Sequence, residues 1–115
     1  MRLYVAGPMR GKPVFNFPLF AEATANLRAH GHDVISPAEA VIEDGFDTEN
    51  PGYISQERYE AWMARDFDFI DKSEGICLLP GWTESPGAIR EHKYACEHGK
   101  TILIYEDADR EGWWR

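Results

Sequence analysis

Ile76-Cys77-Leu78-Leu79-Pro80-Gly81-Trp82-Thr83-Glu84-Ser85-Pro86-Gly87-Ala88-Ile89-Arg90-Glu91 is the stretch whose reading decides the fold. Its first four residues are apolar without alternation, the mark of a strand covered on both faces. Pro80-Gly81 ends that strand. Ser85 and Pro86 then open a helix, because a serine oxygen can cap the first free amides and proline suits the first turn. The spacing predicts a strand over 75–79 and a helix over 86–98, stopped by Gly99. A buried strand running through a glycine-bearing turn into a helix is half of a βαβ unit.

The same alternation continues on either side. Arg2-Leu3-Tyr4-Val5-Ala6 reads as a first strand, ended by Gly7-Pro8, and a helix follows from about Asn16 or Pro18 to Gly31. Phe20, Ala23/Thr24 and Leu27 recur at helical spacing and should face the core. Asp33-Val34-Ile35 is a second strand. From residue 38 to 52 the pattern lapses into a long loop with one helical turn at 38–42. A helix over 53–72 carries the apolar stripe Tyr59, Trp62/Met63 and Phe69/Ile70. Thr101-Ile102-Leu103-Ile104-Tyr105 is the fourth strand, rich in β-branched residues.

Strands of continuous apolar type alternating with helices predict an α/β fold: a small doubly wound, Rossmann-like parallel sheet of about four strands with helices on both faces. In such sheets ligands bind at the carboxyl ends of the strands. The loops there begin at Gly7, Ser36 and Pro80, and the tail follows Tyr105.

The chain has 115 residues and a formal net charge of -8, which suits one domain and argues against a nucleic-acid polymer or an anionic membrane as partner. No apolar run approaches membrane-spanning length, and the cytoplasm is the expected compartment. Cys77 and Cys96 suggest neither a disulfide framework nor a zinc ligand set. His92 and Cys96 lie four apart on a helix, but no third ligand stands at useful spacing, so no metal and no cofactor are expected. His30, His32 and His98 border glycine turns and read as surface residues.

Three features break the structural pattern. Asp66 falls on the stripe of its helix meant for burial, between Met63 and Ile70. A carboxylate there is paired with Arg65 or Arg90, or is an acid whose proton affinity is raised by burial, suited to proton transfer. Glu91 shares a helix face with Ala88 and Ala95, small residues that allow close approach; it is either a first-turn acid complementing the helix dipole or a site carboxylate. Ser85-Pro86-Gly87 leaves helix amides open to an anionic or hydroxylated ligand. The Gly7-Pro8-Met9-Arg10-Gly11 loop matches neither the dinucleotide fingerprint nor the Walker loop. Arg10 is either a phosphate clamp or a solvated surface residue.

Together, Tyr4-Val5-Ala6-Gly7-Pro8, Asp66 near the end of a helix, and Ser85-x-Gly87-x-x-x-Glu91 resemble the nucleoside 2-deoxyribosyltransferase superfamily, which includes the 2'-deoxynucleoside 5'-monophosphate N-hydrolases. The resemblance covers residues 1–105 and leaves 106–115 as a carboxyl-terminal tail. It implies an enzyme that cleaves the N-glycosidic bond of a (deoxy)nucleoside 5'-monophosphate or nucleoside. Glu91 would be the nucleophile and Asp66 the residue that handles the proton of the leaving base. Tyr4, Gly7 and Pro8 would form the first-strand wall. Arg10, Gly11, Ser85 and Gly87 would hold the 5' phosphate. Glu74 stands where the family usually has an aspartate. The resemblance also implies a homo-oligomer, since a second subunit often completes superfamily sites. Arg10 and Ser85 favour hydrolysis. Base exchange by a transferase is the alternative, and the tail's Gly112-Trp113-Trp114-Arg115 would then be an interface or a base platform. A ribonucleotide phosphoribohydrolase ranks lower, because its Pro-Gly-Gly-x-Gly-Thr loop is absent. A nucleotide-binding sensor without turnover is the reading from a different class.

Overall fold

The computed structural model describes residues 1–9, 12–47 and 52–106. Strands β1 (Arg2–Ala6), β2 (Asp33–Ile35), β3 (Gly75–Leu78) and β4 (Thr101–Ile104) form one parallel sheet in the order β2-β1-β3-β4. The expected α/β architecture is present. Helices α1 (Phe17–Ala29) and α2 (Pro37–Glu43) cover one face, and α3 (Gln56–Asp71) and α4 (Pro86–Glu97) the other.

The period of two along the central strands explains this layering. Leu3 and Val5 of β1 pack with Cys77, Leu79 and the α1 residues Phe20, Ala23 and Leu27. Tyr4 and Ala6 point the other way, joining Ile76, Leu78, Ile70 of α3 and Ala95 of α4. Both faces of β1 and β3 are therefore core, so neither strand alternates in polarity. The α1 residues expected to face the core, Phe20, Ala23, Thr24 and Leu27, are all buried.

The structure departs from expectation in three places. The segment after Ser36 makes two turns of helix, α2, rather than one, and Phe46 folds back beside Val41. That return is anchored by apolar contacts with Phe15 and Trp62, which are far away in sequence. Helix α3 starts later than expected: Ser55 caps it by accepting the Arg58 amide at 3.1 Å, leaving Tyr53 outside and exposed. Between β1 and α1 lies a short 3-10 turn, Pro13–Asn16, in which Val14, Phe15 and Asn16 have φ of 49°, 55° and 59°. Asn16 precedes α1, but its amide donates to the Pro8 carbonyl at 2.7 Å instead of capping the helix. The tail beyond residue 106, with Trp113 and Trp114, lies outside the described residues.

Candidate active site

The order β2-β1-β3-β4 places a topological switch between β1 and β3, whose loops diverge to opposite sides of the sheet. A cavity of about 410 Å³ opens there. Gly7, Pro8, Met9 and Lys12 line it from the loop after β1, and Gly81, Glu84, Ser85, Pro86, Gly87 and Ala88 from the loop after β3 and the start of α4. Tyr59, Trp62, Met63 and Asp66 of α3, Glu91 of α4, and Phe15 complete the wall.

Local sequence explains the close fit of the two loops. A Cβ on Gly7 would lie 2.9 Å from Leu79 Cβ, so the first loop can cross β3 only as glycine. A Cβ on Gly87 would meet the Tyr59 hydroxyl at 3.3 Å and Met63 Sδ at 3.7 Å, so glycine lets α4 begin against α3. Ser85 caps α4 by accepting the Ala88 amide at 3.3 Å. That hydroxyl is engaged in the helix cap.

At the floor, Asp66 and Glu91 are 8% and 5% exposed. Met63, Asp66 and Ile70 are the buried residues of α3, and Ala88, Glu91 and Ala95 those of α4. Each acid therefore sits mid-stripe, as their spacing indicates. Tyr4 is fully buried beneath them and donates its hydroxyl to Glu91 Oε2. Asp66 and Glu91 interact with each other as well, each carboxyl acting on the other's proton. Asp66 Oδ1 is buried with no hydrogen-bond partner among the described residues.

The proton affinities follow from this packing. Burial pushes Asp66 up to about 6, opposed by hydrogen bonding from Glu91, the charge of Arg65 and the Tyr4 hydroxyl. Burial, then the Asp66 charge, raises Glu91 well above the carboxylate range, opposed by the Tyr4 hydrogen bond and more weakly by Arg90. Burial and the two acids hold the Tyr4 hydroxyl protonated. Two like charges in one dry pocket cannot both persist, so the pair retains a proton near neutrality.

The ion-pair reading of Asp66 is not what the structure contains. Arg90 forms a fork with Glu60, at 2.7 and 3.3 Å, and Arg65 bonds Asp44. Neither guanidinium closes on the Asp66 carboxyl.

A family model described as a domain of unknown function, DUF4406, matches residues 1–104. The chain belongs to the DUF4406 family. No curated protein matches it in sequence. In this DUF4406 chain the residues expected to form the site fall into three groups. Glu91, Asp66, Gly7, Pro8, Ser85 and Gly87 converge on one cavity. Tyr4 does not line that cavity but lies behind Glu91. Arg10 and Gly11 lie outside the described residues.

Other wall residues were not singled out from the DUF4406 sequence as ligand contacts, among them Met9, Lys12, Phe15, Tyr59, Trp62, Met63 and Glu84. Tyr59 and Trp62 belong to the stripe expected in the core, yet each is only half-buried. Periodicity identifies the inward face of a helix but does not distinguish a core from a cavity wall. Phe15 and Phe46 each meet Trp62 edge to face and tilt against one another, with ring centres 5.1 to 6.3 Å apart, and the three buttress that wall.

Among the described residues no group of three or more His, Cys, Asp or Glu stands together to hold a metal ion. Cys96 Sγ and His92 Nε2 are 3.5 Å apart and contact each other. No described helix is long and apolar enough to cross a membrane.

Proposed function

We propose that this DUF4406 protein cleaves the N-glycosidic bond of a (deoxy)nucleoside 5'-monophosphate or nucleoside through a covalent glycosyl-enzyme at Glu91. One observation carries the reading: two buried carboxyls, sharing a Tyr4 contact, form the floor of a cavity sized for a single nucleotide. The resemblance of Tyr4–Pro8, Asp66 and Ser85–Glu91 to the nucleoside 2-deoxyribosyltransferase superfamily supports the same assignment.

The chemistry assigns one role to each acid. The reactive form of the pair has the anion on Glu91 and the proton on Asp66. Burial holds the proton more tightly on Glu91 than on Asp66, so this form is reached by passing that proton from Glu91 to Asp66. The Tyr4 hydroxyl, which donates to Glu91 Oε2, supports the anion left there. As the bond from C1' to the base nitrogen breaks, positive charge grows on the sugar, and the Glu91 carboxylate stabilises it and then bonds to C1'. The electron pair of the broken bond stays on the base, which takes the Asp66 proton. Water then attacks C1', Asp66 accepts its proton, and Glu91 leaves as carboxylate. The aromatic wall of Phe15, Tyr59 and Trp62 suits a planar base. Lys12 and the amino end of α4 suit an anionic or hydroxylated end of the ligand.

Incubation with a panel of nucleosides, deoxynucleosides and their monophosphates, followed by chromatography for free base, tests the reading. Base release is expected from at least one member. Glu91→Gln should bring it below detection, and Asp66→Asn should slow it by about 10²- to 10⁴-fold. Exchange of one base for another without net hydrolysis would reassign the reaction to a transferase. Tight binding of a nucleotide with no base released would make the domain a sensor.

A further inference from the structure

Strand β2, at one edge of the sheet, runs into Ser36, and a second cavity of about 190 Å³ lies there between α1 and α2. No described residue lines both this cavity and the active-site one. Its floor is buried: Thr24 of α1, Ser36 and Ala38 of α2 are 3%, 4% and 1% exposed. Phe17, Ala21 and Ala25 of α1 give it an apolar side. Arg28 and Glu39 form the rim, each side chain 45% exposed.

Two floor hydroxyls lack the bond that their place in the chain usually provides. A threonine inside a helix commonly returns its hydroxyl to a carbonyl one turn back. Thr24 Oγ1 instead is buried with no hydrogen-bond partner among the described residues. Ser36 stands just before α2 with the extended backbone of a capping residue, yet its side chain makes no capping bond. A buried hydroxyl without a partner destabilises the fold, so a molecule that bonds it is favoured by the same amount.

The charges at the rim, by contrast, are committed to each other. Arg28 reaches Glu39 with both terminal nitrogens, at 2.8 and 2.7 Å, and donates Nη2 to the Val34 carbonyl at 2.9 Å. An incoming anion would meet Glu39 and an incoming cation Arg28, so the rim favours an uncharged guest. The cavity has the volume of about six water molecules. Buried waters take about three hydrogen bonds each, more than two hydroxyls beside an apolar wall can supply. A carbon skeleton bearing hydroxyls matches both surfaces.

We propose that this cavity is a second binding site, for a small uncharged polyhydroxy compound of about glycerol's size. Thr24 Oγ1 and Ser36 Oγ bond its hydroxyls, and Phe17 and the alanines pack against its carbons. The site is one helix away from the active-site wall, because α2 brings Ala38 here and packs Val41 with Phe15. The proposal does not depend on the reaction assigned to Glu91 and Asp66.

The test is a methyl-detected NMR titration of the whole chain with glycerol and with erythritol, read at Thr24, Ala21, Ala25 and Ala38. Saturable shifts centred on these methyls are expected for at least one polyol, with a midpoint in the millimolar range. Thr24→Val, close to threonine in shape, should weaken that midpoint by about tenfold, and Ser36→Ala by a similar factor. Thr24→Ser keeps the hydroxyl and should bind as the wild type does. Without polyol, Thr24→Val should raise the urea midpoint, because it removes an unpaired buried hydroxyl. A lower urea midpoint would show that the hydroxyl has a partner within the fold and would overturn the proposal. So would an unchanged polyol midpoint in Thr24→Val. Shifts that stay linear and spread over the surface would mean an adventitious additive only, and overturn it as well. Tighter binding of acetate than of either polyol would overturn the uncharged class in favour of an anion.

Discussion

Asp66 keeps its proton to about pH 6, whereas an unperturbed aspartate ionises near 3.8. The folded chain therefore binds that proton more tightly than the unfolded chain does. The Asp66 contribution to stability is complete below about pH 4 and is lost as pH rises through about 6. At neutral pH the loss approaches about 3 kcal/mol for a shift of this size. Asp66→Asn should accordingly flatten the pH dependence: urea denaturation at pH 5 and pH 8 should show the variant gaining on the wild type at the higher pH. A parallel pH dependence in the two proteins would mean that Asp66 is not ionising within the fold. The acids at this scale were legible, because Asp66 and Glu91 each interrupt an apolar helical stripe. Tyr4 was only half legible. A tyrosine in a buried strand looks like an ordinary core residue, and its hydroxyl acquires meaning only from Glu91, which lies 87 positions away. The wall residues Tyr59 and Trp62 were hidden for a related reason, since a cavity wall and a core share one periodicity.

Elements were legible where a local pattern governs them and obscured where distant contacts do. The strand and helix limits of β1, β3, α4 and β4 lie within a residue of those expected from Gly, Pro and Ser punctuation. The amino end of the chain's first crossover is different. Val14, Phe15 and Asn16 all hold positive φ, a region L residues enter at a cost of about 1–2 kcal/mol each. Asparagine tolerates it, but a β-branched valine does not, so nothing in Val14 announces the turn. The turn is paid for by its neighbours: Phe15 is buried against Phe46 and Trp62, and the Asn16 amide bonds the Pro8 carbonyl. Val14 itself is 41% exposed and gives little packing in return. Val14→Asn should therefore stabilise the fold by about 1 kcal/mol, seen as a higher urea midpoint at unchanged slope. A neutral or lower midpoint would show that this turn carries no strain at Val14. The same three aromatic rings explain α2 and Phe46. Their contacts join segments around residues 15, 46 and 62, which no window of sequence brings together.

At the scale of the whole molecule, the alternation of strands and helices already implied a parallel sheet, but not the order of its strands. That order matters for function, because β1 beside β3 brings the Gly7 loop and the Ser85 loop to one switch point. The same arrangement makes β3 an interior strand, paired with β1 on one side and β4 on the other. Cys77 sits in β3, fully buried beside Leu3, Val5 and Leu79, and burial pushes its thiol up to about 12. Cys96, on α4, is exposed. A thiol reagent added to the native protein should therefore modify Cys96 and leave Cys77 untouched, since the thiolate is the reactive species and access is closed. Local fraying cannot expose an interior strand flanked on both faces by helices. Modification of Cys77 must therefore await global opening, and its protection should match the unfolding free energy measured in urea. Mass spectrometry after a reagent pulse distinguishes the cases: one adduct in the native protein and two in the denatured one are expected. Rapid modification of Cys77 under native conditions would instead mean that β3 opens without the rest of the sheet, and with it the floor on which Tyr4 and Glu91 meet.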